Sequence, residues 1–328
     1  MQPVAFPSAR PVDLSVIIPI YNEEANIGSL YERLRSVLDP MALPGGYELI
    51  FVNDGSRDQS LALVQTLALR DPRVRYLDFS RNFGHQIAVT AGLDRAEGQA
   101  VCIIDADLQD PPELIPQLLQ KLQEGYEVVY AKRRSRQGES AAKKLTAKLF
   151  YRVLASITHI SIPVDTGDFR VISRKVVEAL RRMPEQNKFI RGQISWIGYR
   201  QTYLEYDRAE RAGGETGYTY RKMLKLALDG ITAFSDVPLK AATVSGFIVS
   251  GIAFLVMLYT LYSRFVTKEY EPGWPSLMVS ILFLGGVQLI AVGIIGEYIA
   301  RLSANVRQRP LYIVSDSNLP EPPAQPQR

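Results

Sequence analysis

Four short apolar runs, each breaking into a polar tip and then into a helix-period pattern, constrain this 328-residue chain more than any other feature. Leu14-Ser15-Val16-Ile17-Ile18-Pro19-Ile20 reads as a buried strand, followed by Tyr21-Asn22-Glu23-Glu24 and a periodic helix through about Leu38. Leu49-Ile50-Phe51-Val52 repeats the arrangement with Asn53-Asp54-Gly55-Ser56 and a helix through Leu69. Val74 to Phe79 leads into Ser80-Arg81-Asn82-Phe83-Gly84-His85 and another helix, and Val101 to Ile104 is the fourth run. Strands alternating with helices imply right-handed crossovers and an α/β fold whose mostly parallel sheet is buried on both faces. The four polar tips then line one edge, where open α/β sheets bind their ligands.

The fourth tip is the most acidic: Asp105-Ala106-Asp107-Leu108-Gln109-Asp110 precedes Pro111 and Pro112. Asp107 and the Gln109 oxygen are suited to a hard divalent cation, which takes one or two carboxylates and shares its other positions with water and phosphate. Asp105 then faces elsewhere in the cleft. Ordinary acids ending a strand fit the tripeptide equally well, and Asp110 ahead of two prolines looks like a helix cap.

Two long uncharged runs occupy the last third, between Lys240 and Arg264 and between Glu271 and Glu297. Each exceeds the roughly 20 residues that a helix needs to cross a bilayer. Two transmembrane helices are expected, in a multi-pass protein of the cell inner membrane. Met1 to Asp13 is Pro-rich and lacks the apolar core of a secretory signal. Arg221, Lys222, Lys225 and Lys240 precede the first run and Arg301, Arg307 and Arg309 follow the second, which puts both termini on the cytoplasmic side. Cys102, the single cysteine, lies in an apolar strand and reads as a small core residue. A net charge of +4 with pI near 9.0 fits an anionic membrane surface, and no nucleic-acid motif is present.

Tyr126 to Tyr130 is a fifth strand candidate, followed by Lys132-Arg133-Arg134-Ser135-Arg136. In the next helix Lys144, Lys148 and Arg152 recur beside the stripe Leu145, Leu149, Val153 and Ile157. A solvated face and an interfacial helix on anionic lipid both fit it, and Tyr218 to Val237 invites the same pair of readings. A strand is expected at Val171 to Ser173, Arg208 to Gly217 is loop-like, and the Pro-rich tail after about Ser317 looks disordered. His85 is read as a helix-start histidine or a donor contact, and His159 as structural. Gly246, Ser250, Gly251, Gly286 and Gly293 permit close helix packing, within one chain or between copies in a homo-oligomer.

The sheet carries neither the G-x-G-x-x-G dinucleotide fingerprint nor a G-x-x-x-x-G-K phosphate loop, which disfavours a dehydrogenase or an ordinary ATPase. Glu23, Asp54 and Asp105 suit hydrogen bonds to uracil or ribose, since carboxylates accept from hydroxyls and ring N–H groups. A metal at Asp107 neutralises a diphosphate leaving group, and the combination points to a nucleotide-sugar donor.

Pro19-x-Tyr21-Asn22-Glu23, Asn53-Asp54-Gly55-Ser56, Asn82-x-Gly84, Asp105-Ala106-Asp107-Leu108-Gln109-Asp110-Pro111 and Gly167-Asp168-Phe169-Arg170 resemble the family 2 glycosyltransferases, nearest to the dolichol-phosphate mannose synthase branch. Within that branch the two apolar runs, Gly296-Glu297-Tyr298 and Arg309-Pro310-x-Tyr312 resemble bacterial enzymes that glycosylate polyprenyl phosphate. The resemblance covers about Asp13 to Val314. It implies a GT-A catalytic domain over 13–217 behind a flexible 1–12, and a juxtamembrane amphipathic helix over 218–238. Two transmembrane helices over 239–300 and a cytoplasmic tail over 301–328 complete the expected organisation.

Carried over residue by residue, the resemblance gives Pro19, Tyr21, Glu23 and Asp54 to the nucleoside and Asp105 to the ribose or sugar. Asp107 and Gln109 hold Mg²⁺ or Mn²⁺, and Arg133, Arg136 and Arg211 receive the acceptor phosphate, with structural ion pairing as the competing reading of those arginines. Asp168 is the candidate catalytic carboxylate, as base or as orienting group, and Asp105 joins it in the catalytic set. A phosphate monoester has a second pKa of about 6, so a lipid phosphate is already largely a dianionic nucleophile. The implied activity is an inverting, metal-dependent transfer of a hexose from a nucleotide sugar, with UDP-glucose favoured, to polyprenyl phosphate at the cytoplasmic face. GDP-mannose or a UDP-4-amino-arabinose-type donor is the alternative. A processive polysaccharide synthase expects a Gln-x-x-Arg-Trp motif and more spans, whereas this chain has Gln193-Ile194-Ser195-Trp196. A catalytically silent nucleotide-sugar-binding scaffold conflicts with the acids at the first, second and fourth strand tips.

Overall fold

A computed structural model describes residues 12–134, 166–206, 237–262, 265–266 and 273–319. They fall into two units. The first holds the described residues through 206 together with 309–319, and the second holds those from 237 to 308.

The first unit is built on eight strands: β1 (Leu14–Ile20), β2 (Tyr47–Asn53), β3 (Val74–Phe79), β4 (Ala100–Ile103), β5 (Val128–Arg133), β6 (Thr166–Ser173), β7 (Gln201–Tyr206) and β8 (Val314–Ser317). Their order across the sheet is β7-β5-β6-β4-β1-β2-β3-β8. β1 pairs in parallel with β2 and β4, β2 with β3, and β5 with β7, whereas β6 runs antiparallel to β4 and β5 and β8 antiparallel to β3. The sheet is therefore parallel-dominant and mixed.

The central strands are buried on both faces, and alternate residues feed two cores. Val16, Ile18, Leu49 and Phe51 pack with Ile27, Leu30 and Leu34 of α1 (Glu24–Leu38), with Val64 of α2 (Ser60–Arg70), and with Ile115 and Leu118 of α4 (Ile115–Gln123). Ile17, Ile50, Val52 and Leu77 pack with Ala88 and Val89 of α3 (His85–Arg95), Val176 of α5 (Arg174–Arg181) and Ile190 of α6 (Ile190–Ile197). Each such aliphatic side chain contributes about 1.5–3 kcal/mol on burial. α3 sits close over β1 because position 92 is glycine: a Cβ there would lie 2.4 Å from Ile17 Cγ2.

The fifth strand is shifted to Val128–Arg133, and the strand expected at Val171–Ser173 extends back to Thr166. Asp110 does not cap a helix. It is fully buried and accepts a hydrogen bond from the Tyr206 hydroxyl, while Pro111 precedes the short 3-10 turn Pro112–Leu114.

In the second unit α7 (Val237–Tyr262) and α8 (Trp274–Arg307) pack against each other. Val237–Val256 and Phe283–Arg307 have mean hydropathies of 1.8 and 1.7, long and apolar enough to cross a membrane. Phe247, Leu255, Leu289 and Ile290 are exposed on these helices. The amphipathic stretch Lys144–Ile157, Tyr218–Val237 apart from Val237 itself, Arg136, His159 and Arg211 lie outside the described residues.

Candidate active site

β1 to β4 all end on the same edge of the sheet. β4 and β6 are antiparallel with Ile103 opposite Arg170, so two residues further on Asp105 falls opposite Asp168. A strand entering from the opposite direction thus brings Gly167-Asp168-Phe169-Arg170 to the carboxyl edge.

His85, the first residue of α3, reaches both acids: its Nε2 is 3.3 Å from Asp168 Oδ2 and 3.6 Å from Asp105 Oδ1. From α6, Arg191 donates to Asp168 through Nε to Oδ1 at 3.0 Å and through Nη2 to Oδ2 at 3.1 Å. Arg170 donates to Oδ1 at 2.8 Å, and also to the carbonyls of Gly167 and Asp168. Only 1% of Arg170 is exposed, so its charge depends on these partners.

Burial alone would raise the Asp168 carboxyl, but Arg191, the His85 bond and Arg170 together hold it well below the usual carboxylate range. Burial drives Asp105 the other way, to about 6, with Asp168, Asp110 and Asp107 adding to the rise and His85 opposing it. Its Oδ1 is buried and has no hydrogen bond. The His85 side chain is 40% exposed, and partial desolvation of the ring is outweighed by the Asp168 hydrogen bond and the two nearby carboxylates, which raise the imidazole to about 8. The cluster thus favours an imidazolium and an ionised Asp168, beside an Asp105 whose carboxyl is raised.

The loops that place His85 are stitched together by the second tip. Asp54 Oδ1 accepts from Phe83 N at 2.6 Å and Oδ2 from Gly84 N at 2.9 Å, so both oxygens face the turn that starts α3. Gly55 has φ +68°, and a Cβ there would meet the Arg81 carbonyl carbon at 2.6 Å and Asn82 N at 2.7 Å. Only glycine permits this approach of the two loops. Asn22 donates its N–H to Ser56 Oγ at 3.0 Å and accepts from Arg57 N at 2.8 Å. Glu23 Oε2 accepts from Asn26 at 2.6 Å.

Beside these loops lies a cavity of about 400 Å³ whose lining includes Tyr21, Ser56, Arg57, Asp78 and Arg81. Of the residues expected at the nucleoside, Tyr21 lines this cavity, Pro19 is buried in β1 opposite Val52, and Asp54 is turned toward Phe83 and Gly84.

Asp107 and Gln109 share one turn, with the Gln109 N–H donating to Asp107 Oδ1 at 3.1 Å and Leu108 held at φ 59° between them. A non-glycine residue in that region is the kind of strain that clusters at functional loops. A carboxylate and an amide oxygen carried two residues apart on one turn are the donor types a hard divalent cation takes. His85, Asp105 and Asp168 also offer ligand atoms within 4.8 Å of one another. In this second set Asp168 is already paired with Arg170 and Arg191. Arg133 ends β5 opposite Tyr206.

The sequence reading named His85 without joining it to the acids, and it passed over Arg170, Arg191 and Tyr206 as site residues. The available signal for Arg170 is a cation inside an otherwise apolar segment, Phe169-Arg170-Val171-Ile172.

The family model for glycosyl transferase family 2 matches residues 15–181. A glycosyltransferase of Bacillus subtilis, YkcC, is 52% identical over 94% of this chain and 95% of its own length. The SfII prophage-derived bactoprenol glucosyl transferase of Shigella flexneri is 43% identical over 94% of this chain and 99% of its own. Among solved structures, glucosyl-3-phosphoglycerate synthase from Mycobacterium tuberculosis shares 20% identity over 67% of this chain and 76% of that one, with a TM-score of 0.45. A parallel-dominant sheet of the GT-A type, acids converging on its carboxyl edge, and matches running almost end to end with two curated relatives make this chain a member of glycosyl transferase family 2 and a glycosyltransferase.

Proposed function

We propose that the protein transfers glucose from UDP-glucose to the phosphate of a membrane-held polyprenyl lipid, at the cytoplasmic face and with inversion at the anomeric carbon. The observation that carries this reading is the match to the Shigella bactoprenol glucosyl transferase, which extends through both apolar helices rather than stopping at the sheet. A polyprenyl chain stays in the bilayer, so an enzyme acting on it has reason to carry such helices. That β8, beyond α8, belongs to the first unit's sheet supports an even number of crossings between them.

In this reading the nucleoside diphosphate occupies the cavity beside Tyr21, Arg57 and Arg81, where guanidinium groups and an aromatic ring suit phosphate and base. The sugar lies toward Asp105 and Asp168. An oxygen of the lipid phosphate attacks the anomeric carbon from the face opposite the nucleotide. The new carbon–oxygen bond forms as the bond to the diphosphate breaks, and the electron pair leaves with the nucleoside diphosphate. Asp107 and Gln109 would hold Mg²⁺ or Mn²⁺, whose charge stabilises that leaving group. Asp168 is pinned by Arg170 and Arg191 as a permanent anion, which suits it to orienting the site rather than taking a proton. Arg133, with Arg136 and Arg211, is assigned to the acceptor phosphate. Positioning and charge stabilisation dominate a reaction of this kind.

The test is to incubate purified protein, Mg²⁺ or Mn²⁺ and a short polyprenyl phosphate with a panel of UDP- and GDP-sugars, and to identify the lipid product by mass. A polyprenyl-phosphate hexose from UDP-glucose is expected. A product from GDP-mannose or a UDP-amino-arabinose alone would move the donor assignment, and no lipid product from any donor would sink the reading.

A further inference from the structure

Among the described residues, β8 is the strand of the sheet that follows both apolar helices, and it carries an irregularity at one position. Its ladder with β3 pairs Leu77 with Ser317 and Asp78 with Asp316, but then Phe79 with Val314. Ser315 is the extra residue, a β-bulge without a rung of its own. Bulges re-aim side chains, often beside active sites. Ser315 lines the same cavity of about 400 Å³ as Tyr21, Ser56, Arg57 and Arg81.

The flanking residues are fastened while Ser315 is not. The Tyr312 ring stacks on Phe79 at 5.1 Å, and its hydroxyl donates to Asp94 at 3.2 Å. Asp316 Oδ2 accepts from the Tyr76 hydroxyl at 2.8 Å and from Gln65 Nε2 at 3.0 Å. Asn318 accepts from Tyr76 N at 2.7 Å and donates to the Val74 carbonyl at 3.0 Å. The bulge is thus clamped from both ends, with exposed Ser315 on the lining of the cavity.

We propose that Ser315 is a donor-binding residue whose hydroxyl hydrogen-bonds the nucleoside diphosphate part of the sugar donor. The proposal rests on the nucleotide-sugar reading above and adds a contact from the far end of the chain. A serine hydroxyl both donates and accepts, which matches ribose hydroxyls or a base edge, while Arg57 and Arg81 supply the charge for phosphate.

The test uses the full-length protein in detergent, with UDP as the probe. UDP affinity is titrated by calorimetry for wild type, Ser315→Ala and Ser315→Trp, alongside melting curves and KM values for donor and lipid. Ser315→Ala is expected to weaken UDP and raise donor KM about threefold to tenfold, the scale of one hydrogen bond, with kcat and lipid KM within about twofold. Ser315→Trp, which fills the cavity, weakens UDP further. If the tryptophan variant fails to melt cooperatively, the alanine variant decides alone, since it removes only a hydroxyl. A wild type that binds UDP together with a folded Ser315→Ala of unchanged UDP affinity overturns this proposal and leaves the wider reading standing. A wild type that binds no UDP overturns both.

Discussion

Asp105 and Asp168 stand opposite each other two residues past the Ile103–Arg170 rung of β4 and β6, and the His85 ring bridges them. Two acids from antiparallel strands are thereby held apart in charge state. One is paired to two arginines, and the other has a buried Oδ1 without a hydrogen bond.

His85 titrates higher in the folded protein, at about 8 against 6.5 when free, because Asp168 and Asp105 outweigh the partial desolvation of its ring. A raised pKa contributes stability that is complete below the unfolded value and is lost as pH rises through the folded one. The melting-temperature advantage of wild type over His85→Gln should therefore be full near about pH 6 and shrink by about pH 9. Parallel melting curves across that window would refute the bridge.

Asp168→Ala should abolish transfer and also loosen the fold. It strips Arg170, which is fully buried, of its carboxylate partner, and unpairing a buried ion costs about 3 kcal/mol or more. Denaturant unfolding measures this. A double variant that also replaces Arg170 with Met should recover part of the lost stability but none of the activity.

Asp107→Ala is expected to act on chemistry with little effect on folding. Transfer should fall about a hundredfold or more, the scale of losing charge stabilisation at a leaving group, with the melting temperature nearly unchanged. Transfer rates across a Mg²⁺ titration make the comparison, and full activity in the variant would remove Asp107 from the metal assignment.

Gly55→Ala forces a positive-φ alanine whose Cβ collides with the Arg81–Asn82 backbone. The expected cost is about 1–3 kcal/mol, with weakened UDP binding because the same loops wall the cavity. A variant with wild-type melting and UDP affinity would show that the two loops separate freely.

What was legible in the sequence follows from what period-2 and period-3.6 patterns can carry. Val16 to Ile18 and Leu49 to Val52 are apolar on both faces, so the central parallel strands and their acidic tips could be read directly. The partner of Asp105 could not. Its juxtaposition with Asp168 depends on β6 running antiparallel to β4, and hydrophobic pattern fixes neither direction nor neighbour. Val314-Ser315-Asp316-Ser317 contains one apolar residue, and its strand is held by Tyr76, Gln65 and Asn318 rather than by burial. Gln201 to Tyr206 was hidden for a similar reason: it is an edge strand with a largely half-exposed surface. Asp110 misled because an acid before two prolines looks like a cap, whereas Tyr206, almost a hundred residues later, holds it in the core.

The pairing of β8 with β3 also sets an order of events during synthesis. Both apolar helices leave the ribosome before β8 does, so until they have been made β3 remains an open edge with unpaired backbone groups. If Ser315 serves the donor cavity as proposed, a nascent chain acquires its complete donor site only after its two apolar helices exist. Under the proposed function, catalytic competence is then timed to the moment when the helices meant to hold the protein at its lipid acceptor have been made.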